Sequence, residues 1–165
     1  MQKQIDDLPK LALDKKVENQ LFFKKLKKHT PNNLDLVMQD LHEKVFEHTD
    51  CLACANCCKT ASPIITEKDI QRIAKHLRLK ETVFIEKYLF KDVDDFWAFR
   101  ETPCPFLASD NYCLIYENRP KACSEYPHTN RRKFIQITDL TIKNTEICPA
   151  TYEIVEALKK VKFDK

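Results

Sequence analysis

The sequence of 165 residues contains no glycine. At the usual share of roughly 7%, about a dozen would be expected in a chain of this length. Glycine-rich loops that cradle phosphate are therefore missing, which excludes P-loop and Rossmann-type nucleotide-binding proteins. Backbone positions with a positive φ must instead fall to Asn or Asp, the next most tolerant residues. The candidates are Asn56, Asn111, Asn118, Asn130 and Asn144.

Long apolar runs and a strong charge of one sign are also lacking. No stretch approaches the ~20 apolar residues of a membrane span, and the first residues carry no apolar run of signal-peptide length. We therefore expect no membrane span and a cytoplasmic location, where thiols stay reduced. The net charge is only +3, so nucleic acid is not expected as a partner. Lysines crowd residues 10–28, but the apolar face there is short, which favours an ordinary core-packing helix over a membrane-surface helix.

The sequence patterns of common hydrolases are absent too. There is no nucleophile elbow, no HExxH pair and no histidine-dominated open zinc site. A catalytic zinc usually keeps an open position beside mixed ligands, whereas an all-cysteine site is typical of structural or redox centres. His48 and His128 are the candidate mixed ligands, although exposed surface histidines are the more frequent explanation. Whether the chain is an enzyme stays open.

Cysteine is what the sequence has in abundance. Four of its eight cysteines fall within eight residues, in the spacing C-x2-C-x2-C-C, and four more follow at longer intervals. They are Cys51, Cys54, Cys57, Cys58, Cys104, Cys113, Cys123 and Cys148. Thiolates are soft anionic ligands, and a gap of two residues lets successive sulfurs converge on one centre. We therefore predict that all eight bind metal, in one site or two. A disulfide framework is disfavoured in a chain without a secretion signal.

Two kinds of metal centre fit this spacing. Three close cysteines with a remote Cys-Pro are typical of [4Fe–4S] ligation, and both Cys104-Pro105 and Cys148-Pro149 could supply the remote ligand. Four thiolates could equally hold a structural zinc ion that adds folding energy directly. Cys57 and Cys58 are adjacent, so a single tetrahedral zinc would take only one of them. The cofactor is thus zinc or iron, and the spacing does not separate the two.

Periodicity places these motifs on a mixed set of elements. Helices are predicted over residues 8–29, 34–48 and 81–90. Two more are predicted by their starts, one at a Thr66 N-cap with Asp69 at its capping-box position and one after Cys148-Pro149. Strands are predicted over 96–99, 112–116 and 133–142. The first two strands would together form a small hairpin, with Cys104 before the second strand and Cys113 within it. Residues 51–58 would lie on a loop.

The predicted fold class is therefore α+β. We expect a small, mostly helical single domain with a short antiparallel sheet, organised around a cysteine-ligated metal centre. Residues 1–50 would form an N-terminal helical extension, and residues 51–165 the cysteine-cluster metal-binding domain.

Several motifs in order resemble the CxxCxxCC cysteine-cluster family, whose members are described as zinc- or iron-chelating. The matching stretches are CLACANCC (51–58), CPFL (104–107), CLIYENRPKAC (113–123), SEYP (124–127) and CP (148–149). The resemblance implies metal binding through all eight cysteines. One departure is Ala55-Asn56, where the family commonly carries a glycine, and we expect Asn56 to take the left-handed conformation there. Tyr116, Arg119 and Tyr126 would either flank the metal or serve as core aromatics and an ion-pair partner.

Three functions remain open. They are a metal-binding protein with a protein partner, a [4Fe–4S] redox protein that assists modification of a protein substrate such as methyl transfer, and a metal carrier or sensor. A tightly held, colourless metal would support the first function. A brown, oxygen-sensitive protein would support the redox function, and an exchangeable metal would support the carrier or sensor.

Overall fold

The computed structural model describes residues 2–163, and helices dominate it. The α-helices are α1 (Gln2–Lys28), α2 (Leu34–Phe46), α3 (Cys51–Cys54), α4 (Asn56–Thr60), α5 (Glu67–His76), α6 (Glu81–Tyr88), α7 (Lys121–Glu125), α8 (Thr138–Asn144) and α9 (Pro149–Leu158). Strands β1 (Leu89–Lys91) and β2 (Trp97–Phe99) form an antiparallel pair, with Leu89 opposite Phe99. Short 3₁₀ turns cover Tyr116–Asn118 and Phe134–Ile137. This composition agrees with the predicted α+β class.

The chain divides into two compact units. The first contains the residues up to Asp50 and those from Pro127 onward. Its core is built from the apolar faces of α1, α2, α8 and α9, and its fully buried side chains include Phe23, Met38 and Phe134. The helices predicted over 8–29 and 34–48 are thus confirmed with shifted ends, since α1 begins earlier and α2 stops at Phe46.

Residues 133–142 are not a strand, and that prediction is wrong. They form a 3₁₀ turn that continues into α8. The buried positions are Phe134, Thr138, Thr141 and Ile142, a spacing of three and four that suits a helix rather than alternation. The turn is fixed by Asp35 of α2, whose carboxylate accepts hydrogen bonds from the backbone N–H of Lys133 at 2.7 Å and of Phe134 at 3.0 Å.

The second unit spans Cys51–Tyr126. Its core packs α5, α6 and the β1–β2 pair around Ile70, Phe84 and Phe106, each at most 4% exposed. The capping box at the start of α5 is confirmed, because Thr66 Oγ1 accepts from the Asp69 N–H while the Asp69 carboxylate accepts from the Thr66 N–H. The predicted helix over 81–90 is confirmed as α6, with its last residues taken up by β1.

The predicted hairpin through residues 112–116 is wrong. Strand β2 pairs instead with β1, immediately before it along the chain. Residues 112–116 make only an isolated bridge, between Cys113 and Leu107, and then enter a 3₁₀ turn. Residues 51–58 are likewise not a loop, because they form α3 and α4. Helices of four and five residues carry too few positions to produce a visible period.

Positive φ angles fall mostly outside the predicted asparagines. Asn111 has φ 68°, as expected, but Asn56 belongs to α4 and it is Ala55 that takes the left-handed conformation, with φ 47° and ψ 17°. Ala55 is 4% exposed, so its small side chain suits a buried link between α3 and α4. Among the described residues, no helix is both long and apolar enough to cross a membrane.

Candidate metal centre

The cysteine cluster is carried by α3 and α4, two short helices joined at Ala55. The Ala55 N–H donates to the Cys51 carbonyl at 2.8 Å, and the Lys59 N–H donates to the Ala55 carbonyl at 3.1 Å, so one residue ends the first helix and begins the second. Cys51 is exposed, whereas Cys54, Cys57 and Cys58 are half-buried. The left-handed conformation of Ala55 thus joins the two helices that carry the four clustered cysteines.

Cys57 and Cys58 are adjacent in sequence, and their sulfur atoms also lie close together. Their Sγ atoms lie 4.0 Å apart. The hydrogen bond with the Cys57 thiol lowers the pKa of Cys58 to about 7, burial opposes this change, and the charge of Lys59 supports it. The pKa of Cys58 thus lies closer to neutrality than that of an ordinary thiol, which favours its thiolate.

Cys104 opens the CPFL turn and is tied to the cluster by its backbone. The Cys104 N–H donates to the Cys58 carbonyl at 2.8 Å. Burial raises the pKa of Cys104 to about 11, and the charges of Cys58 and Cys113 add to that, while hydrogen bonds from the backbone N–H groups of Phe106 and Leu107 lower it. Backbone donors aimed at a sulfur favour its charged form, which is the form that binds metal.

The CPFL turn is anchored by the Phe106 ring. Phe106 is 4% exposed, and its ring centroid lies 5.0 Å from that of Tyr88, 5.5 Å from that of Phe99 and 6.5 Å from that of Phe84. The N–H that reaches the Cys104 sulfur thus belongs to a residue locked into the core of the unit. Core packing therefore sets the position of Cys104.

Cys113 and Cys123 are two further half-buried thiols whose pKa values are perturbed. Burial raises the pKa of Cys113, a backbone N–H from Ile115 opposes this, and the charge of Cys58 adds to it. Burial raises the pKa of Cys123 to about 12, and the charges of Cys58, Cys104 and Cys113 raise it as well. Cys123 lies on α7, where its N–H donates to the Pro120 carbonyl at 2.9 Å.

Four of the predicted ligands therefore converge within the second unit. Cys58, Cys104, Cys113 and Cys123 come from four different segments, yet each lies close enough to another of the set to perturb its ionisation. As they stand, no three His, Cys, Asp or Glu side chains in the described part of the chain are placed to hold a metal ion. The donor set, all soft thiols, fits zinc or iron, but the sulfurs must move closer together for a metal to bind.

The other four cysteines are placed differently. Cys51, Cys54 and Cys57 share α3 and α4 with Cys58, and α3 is linked to the turn before Cys113 by the Asn111 side chain, which donates to the Ala53 carbonyl at 3.3 Å. Cys148 belongs to the first unit, where it caps α9 and packs half-buried against that unit's core.

Arg119 and Tyr116 form a stacked pair beside Cys113. The Arg119 guanidinium lies 3.9 Å from the centroid of the Tyr116 ring, and its Nη1 donates to the Tyr116 carbonyl at 2.6 Å. Its charge lowers the pKa of Cys113 and of Cys123, although the dominant effect on both is burial, which raises it. His48, the ligand candidate nearest the cluster in sequence, instead contacts Glu153 at 3.2 Å within the first unit.

Comparison with known proteins agrees with the cysteine pattern. Residues 50–149 match the family model CxxCxxCC, described as “Putative zinc- or iron-chelating domain”. The chain belongs to the CxxCxxCC family. No curated protein and no solved structure gave a match. Membership confirms the resemblance predicted from the motifs and supports metal binding as the general function, with zinc or iron as the metal.

Proposed function

We propose that this CxxCxxCC protein holds a zinc or iron centre through the thiolates of Cys58, Cys104, Cys113 and Cys123. The observation that carries the proposal is that backbone contacts join the segments bearing these thiols: the Cys104 N–H donates to the Cys58 carbonyl at 2.8 Å, and Cys113 pairs with Leu107 of the CPFL turn. The pKa shifts of Cys104, Cys113 and Cys123 agree with this, since burial raises all three and the charge of Cys58 adds to each. Neighbouring thiols that are partly buried are costly to ionise together, because each thiolate is negatively charged, unless a cation binds among them. A divalent metal among the sulfurs would replace the thiol protons and offset the mutual repulsion of the thiolates.

Backbone donors support the same proposal. Backbone hydrogen bonds from Phe106 and Leu107 to the Cys104 thiol, and from Ile115 to the Cys113 thiol, favour the charged forms of these thiols. Such hydrogen bonds stabilise metal-bound thiolates and orient them. A bound zinc ion would supply a cross-link between the segments, and an iron–sulfur cluster would add electron transfer.

The remaining cysteines extend the proposal. Cys51, Cys54 and Cys57 are proposed to serve the same centre or a second one, because they share two short helices with Cys58. Cys148 lies in the other unit, and a role for it in metal binding is proposed from the family resemblance alone. An iron–sulfur protein that assists modification of a protein substrate, and a metal carrier or sensor, are alternatives that would use the same thiols.

Cobalt titration tests the assignment. Co²⁺ bound by thiolates gives sulfur-to-metal charge-transfer bands and the visible bands of a tetrahedral ion, and zinc displaces it. We expect Cys123→Ala to lose or strongly weaken these bands, while the matched control Ser124→Ala, on the same helix, keeps them. Ser124 is exposed and bonds only locally, to the Lys121 carbonyl at 2.9 Å. Equal spectra from both variants would show that Cys123 is not a ligand.

A further inference from the structure

Asp69 is a buried carboxylate that does more than cap its helix. The side chain is 1% exposed. Its Oδ2 accepts from the Thr66 N–H at 2.9 Å and from Thr66 Oγ1 at 2.6 Å, and these contacts, with the reciprocal bond to Thr66, complete the capping box of α5. The other oxygen, Oδ1, is not needed for the cap and is occupied elsewhere.

Oδ1 of Asp69 holds the segment that leads into α7. It accepts from the Lys121 N–H at 3.0 Å and from Arg72 Nη2 at 2.6 Å. The same Arg72 nitrogen donates to the Arg119 carbonyl at 2.9 Å. Asp69 and Arg72 therefore grip the backbone on both sides of Pro120, and we call this pair with its contacts the α5 clasp.

The α5 clasp holds the start of α7, the short helix that carries Cys123. Helix α7 has five residues, too few to be stable by itself, and it begins at Lys121, the residue that Asp69 holds. Cys123 follows two residues later, and its N–H is bonded to the carbonyl of Pro120, between the two gripped residues. Hydrogen bonds to a buried carboxylate are among the stronger ones in proteins.

We propose that Asp69 and Arg72 are positioning residues for the Cys123 thiol and pre-organise it for the metal; the inference rests on the proposed metal site. Neither residue is a ligand in this account. The clasp holds the segment that bears Cys123 through contacts of the protein alone, so that less ordering is left to be done when metal binds. Replacement of a residue that orients a metal ligand without contacting the metal typically changes metal affinity by about 10–100-fold.

Two measurements on Asp69→Asn and Arg72→Gln test the proposal. The first, on metal-free protein, is the alkylation rate of each cysteine, mapped by mass spectrometry. We expect Cys123 to react about tenfold faster or more in both variants, because the clasp no longer restrains it, with the Cys104 rate unchanged. The second is the affinity for Zn²⁺ by competition with a chromophoric chelator. We expect it to weaken by about 10–100-fold.

Ile73→Val is the matched control. Ile73 lies on α5, is fully buried and takes no part in the clasp, so its substitution loosens the unit without releasing α7. An unchanged Cys123 rate in both clasp variants, or an equal rise in the control, would overturn the proposal. Faster alkylation with unchanged zinc affinity would also overturn it. If the parent protein binds neither zinc nor iron, the proposed function fails, and the alkylation rates still report separately whether the clasp restrains Cys123.

Discussion

Replacement of Phe106 by leucine should weaken the metal site through the core of the second unit. Phe106 packs against the rings of Phe84, Tyr88 and Phe99 while its N–H serves the sulfur of Cys104. Aromatic pairs contribute about 0.5–1.5 kcal/mol each beyond buried area, and the smaller side chain leaves a cavity, so we expect a loss of about 1–3 kcal/mol in the free energy of unfolding. Urea denaturation of the metal-free protein measures it.

The same substitution should lower metal affinity, because the turn that presents Cys104 loses its anchor. We expect the zinc dissociation constant to rise by about tenfold, or about 1.4 kcal/mol. Phe134→Leu is the matched control, since Phe134 is fully buried in the other unit and pairs with the ring of Phe23 at 6.2 Å. It should cost about 0.5–2 kcal/mol of stability and leave zinc affinity unchanged. Unchanged affinity in Phe106→Leu, or equal weakening in both variants, would refute the reasoning.

Three further predictions follow from single side chains. Asp35→Ala should lower the free energy of unfolding by about 1–3 kcal/mol and Asp35→Asn by less, because the carboxylate holds two N–H groups; equal losses in urea melts would contradict this. Burial would raise the pKa of Asp69, but its hydrogen bonds hold it below its ordinary value, so stability should fall below about pH 4, and less so in Asp69→Asn; parallel acid titrations check it. Cys104→Ser should abolish or greatly weaken cobalt binding, and Ser124→Ala should not; a parent-like cobalt spectrum in Cys104→Ser would remove it from the site.

Local signals in the sequence were sufficient where the physics is local. The capping box needs only Thr66 and Asp69, three residues apart, and the structure contains it. Pro149 at the start of α9 suits the first helical turn, where no N–H is required, and the helix begins there. In both cases the determining contacts lie within one helical turn, which is why the pattern alone predicted them.

The local sequence pattern of residues 133–142 did not predict their structure. Their alternation of apolar and polar side chains predicted a strand, yet the segment is a 3₁₀ turn followed by α8. Its start is stabilised by Asp35, which lies almost a hundred residues earlier in the chain. No local pattern reports a cap supplied from so far away, and tertiary packing overrides propensity in such a case.

The metal site divides in the same way. The cysteines could be recognised in the sequence as candidate donors, because thiols at these spacings have few other uses, and the family match covers all eight. Their grouping was not predictable, since the position of Cys104 depends on the packing of Phe106 and that of Cys123 on a carboxylate of α5. Ala55 was missed for a different reason: an alanine at a positive φ is uncommon, and the neighbouring Asn56 was the better candidate.

The most direct test of the central claim is a metal and acid-labile sulfide analysis of the parent protein, purified without oxygen, together with its visible spectrum. We expect zinc or iron bound in stoichiometric amount. Iron with matching sulfide would identify a cluster and favour the redox alternative, and zinc without sulfide would identify a thiolate-bound ion. Protein that contains neither metal, fails to take up added zinc or iron and reacts fully at all its thiols would contradict the account.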